Sequence, residues 1–277
     1  MDDMDAESEE FGGVRNFFAG DFVRYGWAKL MHSGLGGYET LNLYAEAIAK
    51  MPENPGIPLL FRTIFKNAYL PYRDPETLRA FLKIIDEFNY DHSERLGDAF
   101  EYLLSVLGSQ GDAGQFRTPR HIIRAMVELV DVKPTDTLCD PACGTGGFLI
   151  GTMDYLRRTH SSRELVHDET DEVTGEVVKD DHGDPVRVYP GDLLDPYREH
   201  IENDMFHGFD FDATMLRIAA MNMLLHGIES PCIEYQDSLA DNFADRFPRY
   251  HKDCFDVILA NPPFKGTIDA DSIHKSL

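Results

Sequence analysis

An α/β fold, with a doubly wound parallel sheet preceded by an α-helical N-terminal domain, is predicted for this 277-residue chain by three observations. Short apolar runs alternate with helix-like segments from about Thr137 onward, the signature of a parallel sheet with crossover helices. A glycine-rich turn joins the first apolar run to a helix. Upstream of about Asp112 the apolar spacing is helical throughout and is interrupted only by Pro and Gly clusters.

Residues 1–112 carry candidate helices over Val14 to His32, Tyr38 to Lys50, Leu59 to Tyr69, Glu76 to Phe88 and Ser93 to Leu107. Gly34-Leu35-Gly36-Gly37, Met51 to Gly56 and Pro71 to Pro75 separate four of them. The apolar stripes of such helices are read as core, so a helical bundle is expected. Gly108 to Gly114 is a polar, glycine-rich linker to the second domain, residues 113–277. There Pro119 and the spacing of Ile122, Ile123, Met126, Val127 and Val130 predict a helix. Thr137-Leu138-Cys139 is read as the first strand, followed by a helix from about Phe148 to Arg158. Met205 to Asp210 is the second strand, Asp212 caps a helix reaching His226, Ile233 to Gln236 is the third strand and Phe255 to Ala260 the fourth. The stretch at about 161–190 is an acidic insertion, in which Val186 to Tyr189 fits the return strand of a hairpin.

Composition narrows the function classes. A 43% hydrophobic content supports a packed core, no apolar run is long enough to cross a bilayer, and the acidic N-terminus has no secretory signal, so a cytoplasmic place is expected. Cys139, Cys143, Cys232 and Cys254 lie in or beside strand-like runs and are read as reduced thiols. The 26 basic and 49 acidic residues leave a charge of -23, which argues against unaided binding to a polyanion. If DNA is the substrate, another subunit must supply cations. Nine lysines and an excess of aspartate over glutamate also suit a high-salt surface, a reading that folding at low salt would remove. No metal site is expected, because the Asp/His cluster of the insertion lacks spaced ligands on fixed elements.

The chemistry-bearing residues cluster at strand ends. Asp140-Pro141-Ala142-Cys143-Gly144-Thr145-Gly146-Gly147-Phe148 turns a strand sharply into a helix and lets a ligand approach the backbone. It lacks both the G-x-G-x-x-G spacing of dinucleotide enzymes and the Gly-Lys-Ser/Thr of phosphate loops, which favours a ligand without phosphates. Asp210, ending the second strand, is placed to accept ribose hydroxyls, while Asp212 is a helix cap. Asp237, ending the third, either reaches an adenine ring or caps the next turn. Asn261-Pro262-Pro263-Phe264 must end the fourth strand, since two prolines cannot extend a ladder. It offers an amide oxygen and a carbonyl to an NH2 group and a ring to stack on its plane.

Gly114-Gln115-Phe116-Arg117-Thr118-Pro119-Arg120, Asp140 to Phe148, Gly208-Phe209-Asp210 with Met221-Asn222, and Asn261 to Phe264 occur in that order. Together with Leu96 to Leu104 they resemble the modification (M) subunit of type I restriction-modification systems, over roughly Ile57 to Phe264. The resemblance implies a class I S-adenosylmethionine-dependent methyltransferase, Rossmann-like in fold, acting on the exocyclic amino group of adenine in DNA. It implies that Gln115, Phe116, Arg117, Thr118, Pro119 and Arg120, with Thr145 to Gly147 and Asp210, line the cofactor, and that Asn261, Pro262, Pro263 and Phe264 hold the target base. It also implies a specificity (S) subunit and a restriction (R) subunit as partners. The family usually has an aromatic at Arg117 and a glutamate at Asp210, and its chains run past the last motif. An incomplete sheet with an open edge at the fourth strand is therefore expected, covered by another segment or chain. Pro231-Cys232 resembles the dipeptide of cytosine methyltransferases but precedes the third strand, so Cys232 is read as structural. Two alternatives stay open: a protein glutamine methyltransferase, which also uses N-P-P with an aromatic, and a non-catalytic cofactor-binding or assembly fragment.

Overall fold

The computed structural model describes residues 5, 8–10, 12–57, 59–87, 118–171, 174–179, 183–228, 230–250 and 252–263. The chain divides into two compact units, Met1–Leu96 and Gly97–Leu277. The candidate helix at Ser93 to Leu107 and the linker after it lie outside the described residues.

The first unit is helical, as its apolar spacing predicts, but its first helix is not continuous. Gly20 at φ +56° and Gly26 in an extended conformation break Val14 to His32 into a 3-10 turn, Gly20–Tyr25, and a short α1, Trp27–Leu30. Then follow α2 (Gly37–Lys50), α3 (Leu59–Phe65) and α4 (Pro75–Asp86). Helix α3 stops before Tyr69, with Asn67 in the left-handed region just after it. Helix α4 starts where its sequence says it should: Pro75 occupies the first position and the Asp74 carboxylate accepts from Thr77 N at 2.8 Å. Leu30, Leu78 and Leu82 form the buried centre of this unit.

In the second unit α5 (Arg120–Val130) leads into β1 (Leu138–Asp140), α6 (Gly147–Thr159), a small antiparallel pair β2 (His167–Asp168) and β3 (Arg187–Val188), and α7 (Arg198–Asn203). The chain continues through β4 (Phe206–Asp210), α8 (Ala213–Leu225), β5 (Cys232–Tyr235), α9 (Phe243–Arg246) and β6 (Val257–Ile258). The four-stranded sheet has the order β5-β4-β1-β6 with every pair parallel. Both faces are covered. Phe206 and Gly208 look toward α6, where a Cβ on Gly208 would lie 3.3 Å from Leu149, while His207 and Phe209 point the other way into a cluster of Phe243, Phe247, Tyr250 and Phe255. Val127, Leu138, Leu149, Leu156, Met205 and Phe206 are almost wholly buried, each worth about 1.5–3 kcal/mol of transfer free energy.

Two sequence readings need correction. Of the strand expected over Phe255 to Ala260 only Val257 and Ile258 pair, and β6 sits at the end of the sheet among the described residues with Ile258 61% exposed. Leu259, on the other side of the pleat, is buried. The insertion is more than a single hairpin, because Thr170 with Val177 and Lys179 with Pro185 add two bridges to the β2–β3 pair. Its ends are clipped together by Ser162, whose N and Oγ donate to Asp192 at 2.9 and 2.6 Å, and by Gly191 N donating to Ser161 Oγ at 2.8 Å. It therefore hangs between α6 and the amino end of β4, away from the glycine loop at the carboxyl end of β1.

Helix α5 lies directly on α6. A Cβ on Gly151 would stand 2.4 Å from Ile123 Cγ2, far inside van der Waals contact, and Ile123 is itself buried. Gly151→Ala is thus expected to destabilise the second unit by about 1–3 kcal/mol in spite of alanine's better helix propensity, read as a lowered urea midpoint. An unchanged or raised midpoint would mean that α5 is free to move away from α6.

Candidate active site

The parallel sheet places the ends of β1, β4, β5 and β6 on one edge. The chain passes from β1 to β4 on one side, and β6 pairs with β1 on the other, so the strand order reverses beside β1. In open α/β sheets that reversal opens a crevice at the carboxyl ends of the strands, where ligands bind.

The loop after β1 needs its glycines. Gly144 has φ +52° and Gly146 φ +82°, conformations that residues with a Cβ rarely adopt. A Cβ on Gly146 would come within 3.4 Å of Met223, whereas beside Gly144 no atom of the described residues other than its chain neighbours stands within 4 Å of that position. One glycine thus lets α8 approach and the other keeps the loop open. Loop and sheet are stitched by backbone and side chain alike: Cys143 N donates to Phe209 O at 3.0 Å, Asn222 Nδ2 to Thr145 O at 3.0 Å, and Ser238 Oγ to Pro141 O at 2.6 Å.

Asp210 is half-buried at the end of β4 and joins the glycine loop to the start of α8. Its Oδ2 accepts from Gly144 N at 3.0 Å and its Oδ1 from Asp212 N at 2.8 Å. Each carboxylate oxygen keeps a further lone pair, so the group is oriented and still able to accept from hydroxyls. Asp212 caps α8, accepting from Thr214 N and Met215 N at 2.7 and 3.3 Å, as its place in the sequence predicts. Asp237 is exposed, and its Oδ1 accepts from Leu239 N at 3.0 Å. The capping alternative is therefore observed.

Asp140 is only 2% exposed and accepts from Ala142 N at 3.1 Å. Burial, opposed by that hydrogen bond and reinforced by the neighbouring Asp210 charge, raises its carboxyl from the ordinary 3.8 to about 7. The folded state therefore holds this proton more tightly than the unfolded chain, and the stability it contributes declines as pH rises from about 4 through about 7. Asp140→Asn keeps an acceptor for Ala142 N and removes the titration. Its unfolding free energy relative to the wild type is expected to rise across that window, by at most ~4 kcal/mol. A difference independent of pH between 4 and 8 would contradict a buried, protonatable Asp140. Burial also pushes the Cys139 thiol up to about 12 and Cys143 well above its ordinary range, so neither is a thiolate nucleophile.

On the other side of β1, Asn261 stands half-buried beyond β6, and its Nδ2 donates to Thr118 Oγ1 at 2.8 Å. Pro262 and Pro263 are exposed. Thr118 precedes Pro119, which caps α5, and Arg120 begins that helix; both Pro119 and Arg120 are exposed. The structure thus joins two motifs separated by 143 residues in sequence. Gln115, Phe116, Arg117 and Phe264 lie outside the described residues.

Three contributors escaped the sequence reading. Asn222 was visible only as part of a motif, although a polar residue in the apolar run of α8 is itself a signal; it is fully buried and anchors the loop. Ser238 ties the loop to the end of β5. Phe211, 62% exposed between the two aspartates, offers an apolar face beside Asp210.

Residues 91–276 match the N-6 DNA Methylase family. The chain is 28% identical over 242 residues to the EcoEI type I restriction enzyme methylase subunit of Escherichia coli, covering 86% of this chain and 41% of that protein. It is 26% identical over 179 residues to the MjaVII methylase subunit of Methanocaldococcus jannaschii, covering 64% and 23%. Among solved structures, a modification subunit of a type I restriction enzyme from Vibrio vulnificus superposes with a TM-score of 0.63 at 24% identity, covering 97% of this chain and 54% of that one. The corresponding methyltransferase subunit from Streptococcus thermophilus gives 0.60 at 20% identity, covering 94% and 47%. The chain spans about two fifths of the EcoEI subunit and about half of each solved chain. These likenesses carry the fold of the chain. Among the described residues no helix is long and apolar enough to cross a membrane.

Proposed function

The chain belongs to the N-6 DNA methylase family, and we propose that it transfers a methyl group from S-adenosylmethionine to the exocyclic amino group of adenine in DNA. The observation that carries this reading is the strand order. It brings the glycine loop with Asp210 to one flank of β1 and Asn261 with Pro262 to the other, so that a methyl donor and a base amine can meet above β1.

The residues fit the donor. Asp210 has acceptor capacity for two ribose hydroxyls, the open side of Gly144 admits a ligand against the backbone, Phe211 offers an apolar face to a purine, and the loop Asp140 to Gly147 holds no cation for a phosphate. Thr145, Gly146, Gly147 and the segment Gln115 to Arg120 complete the cofactor side, and Asp237 flanks the purine end. When bound, the sulfonium donor supplies an electrophilic methyl group.

The chain's own residues then position the nucleophile. The target adenine is flipped out of the duplex, at an unstacking cost of a few kcal/mol, and stacks on Phe264. Asn261 Oδ1 and the Pro262 carbonyl accept hydrogen bonds from its two amine N–H groups, one of whose protons leaves to solvent water once the nitrogen has been methylated. These hydrogen bonds favour a pyramidal nitrogen whose lone pair faces the methyl group, so catalysis is orientation and electrostatics. Pro263 stiffens the turn that presents these acceptors.

Residues 113–277 form the catalytic domain and residues 1–112 a helical domain suited to assembly. With a net charge of -23, the chain relies on a specificity subunit for cations and sequence choice, and acts with that subunit and a restriction subunit in a cytoplasmic, multisubunit host-defence complex. Calorimetric titration with S-adenosylmethionine, then methyl transfer to adenine-containing DNA with and without co-purifying partners, tests the proposal. Binding followed by N6-methyladenine supports it. Transfer to a glutamine-bearing protein in place of DNA, or no cofactor binding at all, would overturn it.

A further inference from the structure

We propose that Thr118 is a positioning residue for the target base, holding the Asn261 amide in the one orientation that can accept from an adenine amine. The inference rests on the methyl-transfer reading above and deepens it. The family resemblance groups Thr118 with the cofactor segment Gln115 to Arg120, and in the structure its hydroxyl accepts from Asn261 Nδ2 at 2.8 Å.

A primary amide has one accepting end and one donating end, and only the accepting end serves an amino group. Rotation by half a turn would present Nδ2 to the adenine NH2, donor against donor. With Nδ2 donating to Thr118 Oγ1, the Oδ1 end is directed away from Thr118 and available to the base. A hydroxyl accepts this bond at no charge cost. A methyl group in its place would leave Nδ2 without that acceptor and free the amide to turn.

Both ends of the bond stand on fixed supports, which is what makes it an orienting device. Thr118 enters α5 through Pro119, whose carbonyl accepts from Ile122 N and Ile123 N at 2.9 and 3.1 Å. Ile123 then packs onto the α6 backbone at Gly147 and Gly151, the helix that begins in the glycine loop. Asn261 follows Leu259, whose N donates to Cys139 O at 3.0 Å, and β6 is pinned at its start by Thr137 N donating to Asp256 Oδ2 at 2.8 Å. The hydrogen bond therefore spans from the helix that packs on the cofactor loop's helix to the strand that carries the base-gripping turn.

Thr118→Val keeps shape and removes the acceptor; Thr118→Ser keeps the acceptor. On the full 277-residue chain, calorimetry sets the S-adenosylmethionine concentration that saturates each variant. The turnover number for DNA methylation at saturating cofactor should fall roughly ten- to a hundredfold in Thr118→Val and recover to within about threefold in Thr118→Ser. The Asn261 side-chain amide resonances, read by nitrogen-15 NMR, should shift and lose protection from exchange in Thr118→Val alone. Normal turnover of Thr118→Val at saturating cofactor would overturn the inference, as would amide resonances indifferent to the substitution. The resonances decide the matter even if the wild-type chain methylates no DNA, an outcome that would sink the functional reading and not the orienting bond.

Discussion

Asn261→Ala is expected to lower methyl transfer to DNA by on the order of 10²–10³-fold while S-adenosylmethionine affinity stays within about twofold. Asn261 lies beyond β6, on the flank of β1 opposite Asp210, and its observed partner is Thr118. Truncation removes an acceptor that orders the amine nitrogen as it becomes tetrahedral, an interaction that strengthens toward the transition state. The loss should therefore appear in turnover more than in the Michaelis constant. The fold should survive, because Asn261 is only half-buried and its side-chain bond to Thr118 ends on a hydroxyl that water can satisfy. Radiolabelled methyl incorporation at saturating cofactor measures the effect. Incorporation within threefold of the wild type would remove Asn261 from the proposed mechanism.

Asp210→Ala should have the complementary effect, weakening S-adenosylmethionine binding by roughly a hundredfold. Two losses add. The carboxylate that would accept the ribose hydroxyls disappears, and Gly144 N and Asp212 N lose the acceptor that aligns the loop with the start of α8. Charge-assisted hydrogen bonds of this kind contribute about 1.5–3 kcal/mol each. Titration calorimetry reads the change directly, and a urea melt checks that the sheet persists. Affinity within threefold of the wild type would mean that Asp210 only supports the loop, with the ribose held elsewhere.

Much of this was legible from the chain. Alternation of apolar runs and helical segments predicted every strand of the catalytic sheet to within a few residues, because the period of side-chain burial depends on local geometry alone. Asp212 was legible as a cap for the same reason, since the groups it satisfies lie two and three residues away. The helix drawn from Val14 to His32 failed where Gly20 and Gly26 adopt backbone conformations that apolar spacing does not encode. The fourth strand was drawn too long for a different reason: how much of an apolar run pairs depends on which neighbours it acquires, and β6, with only β1 beside it among the described residues, pairs at Val257 and Ile258 alone.

By itself, then, the sequence determined the element order, the glycine turn, the strand-end position of Asp210 and the proline-stiffened turn at Asn261. All are properties of a few consecutive residues and of the dihedral limits of Gly and Pro. Only the tertiary structure decided that Asp210 closes onto Gly144 across 66 residues, that Asn222 holds the loop across 77, and that Thr118 belongs to Asn261 across 143. Such pairs are set by the order in which parallel strands lie side by side. That order is a cooperative outcome of burying both faces of the sheet at once, and no local pattern specifies it.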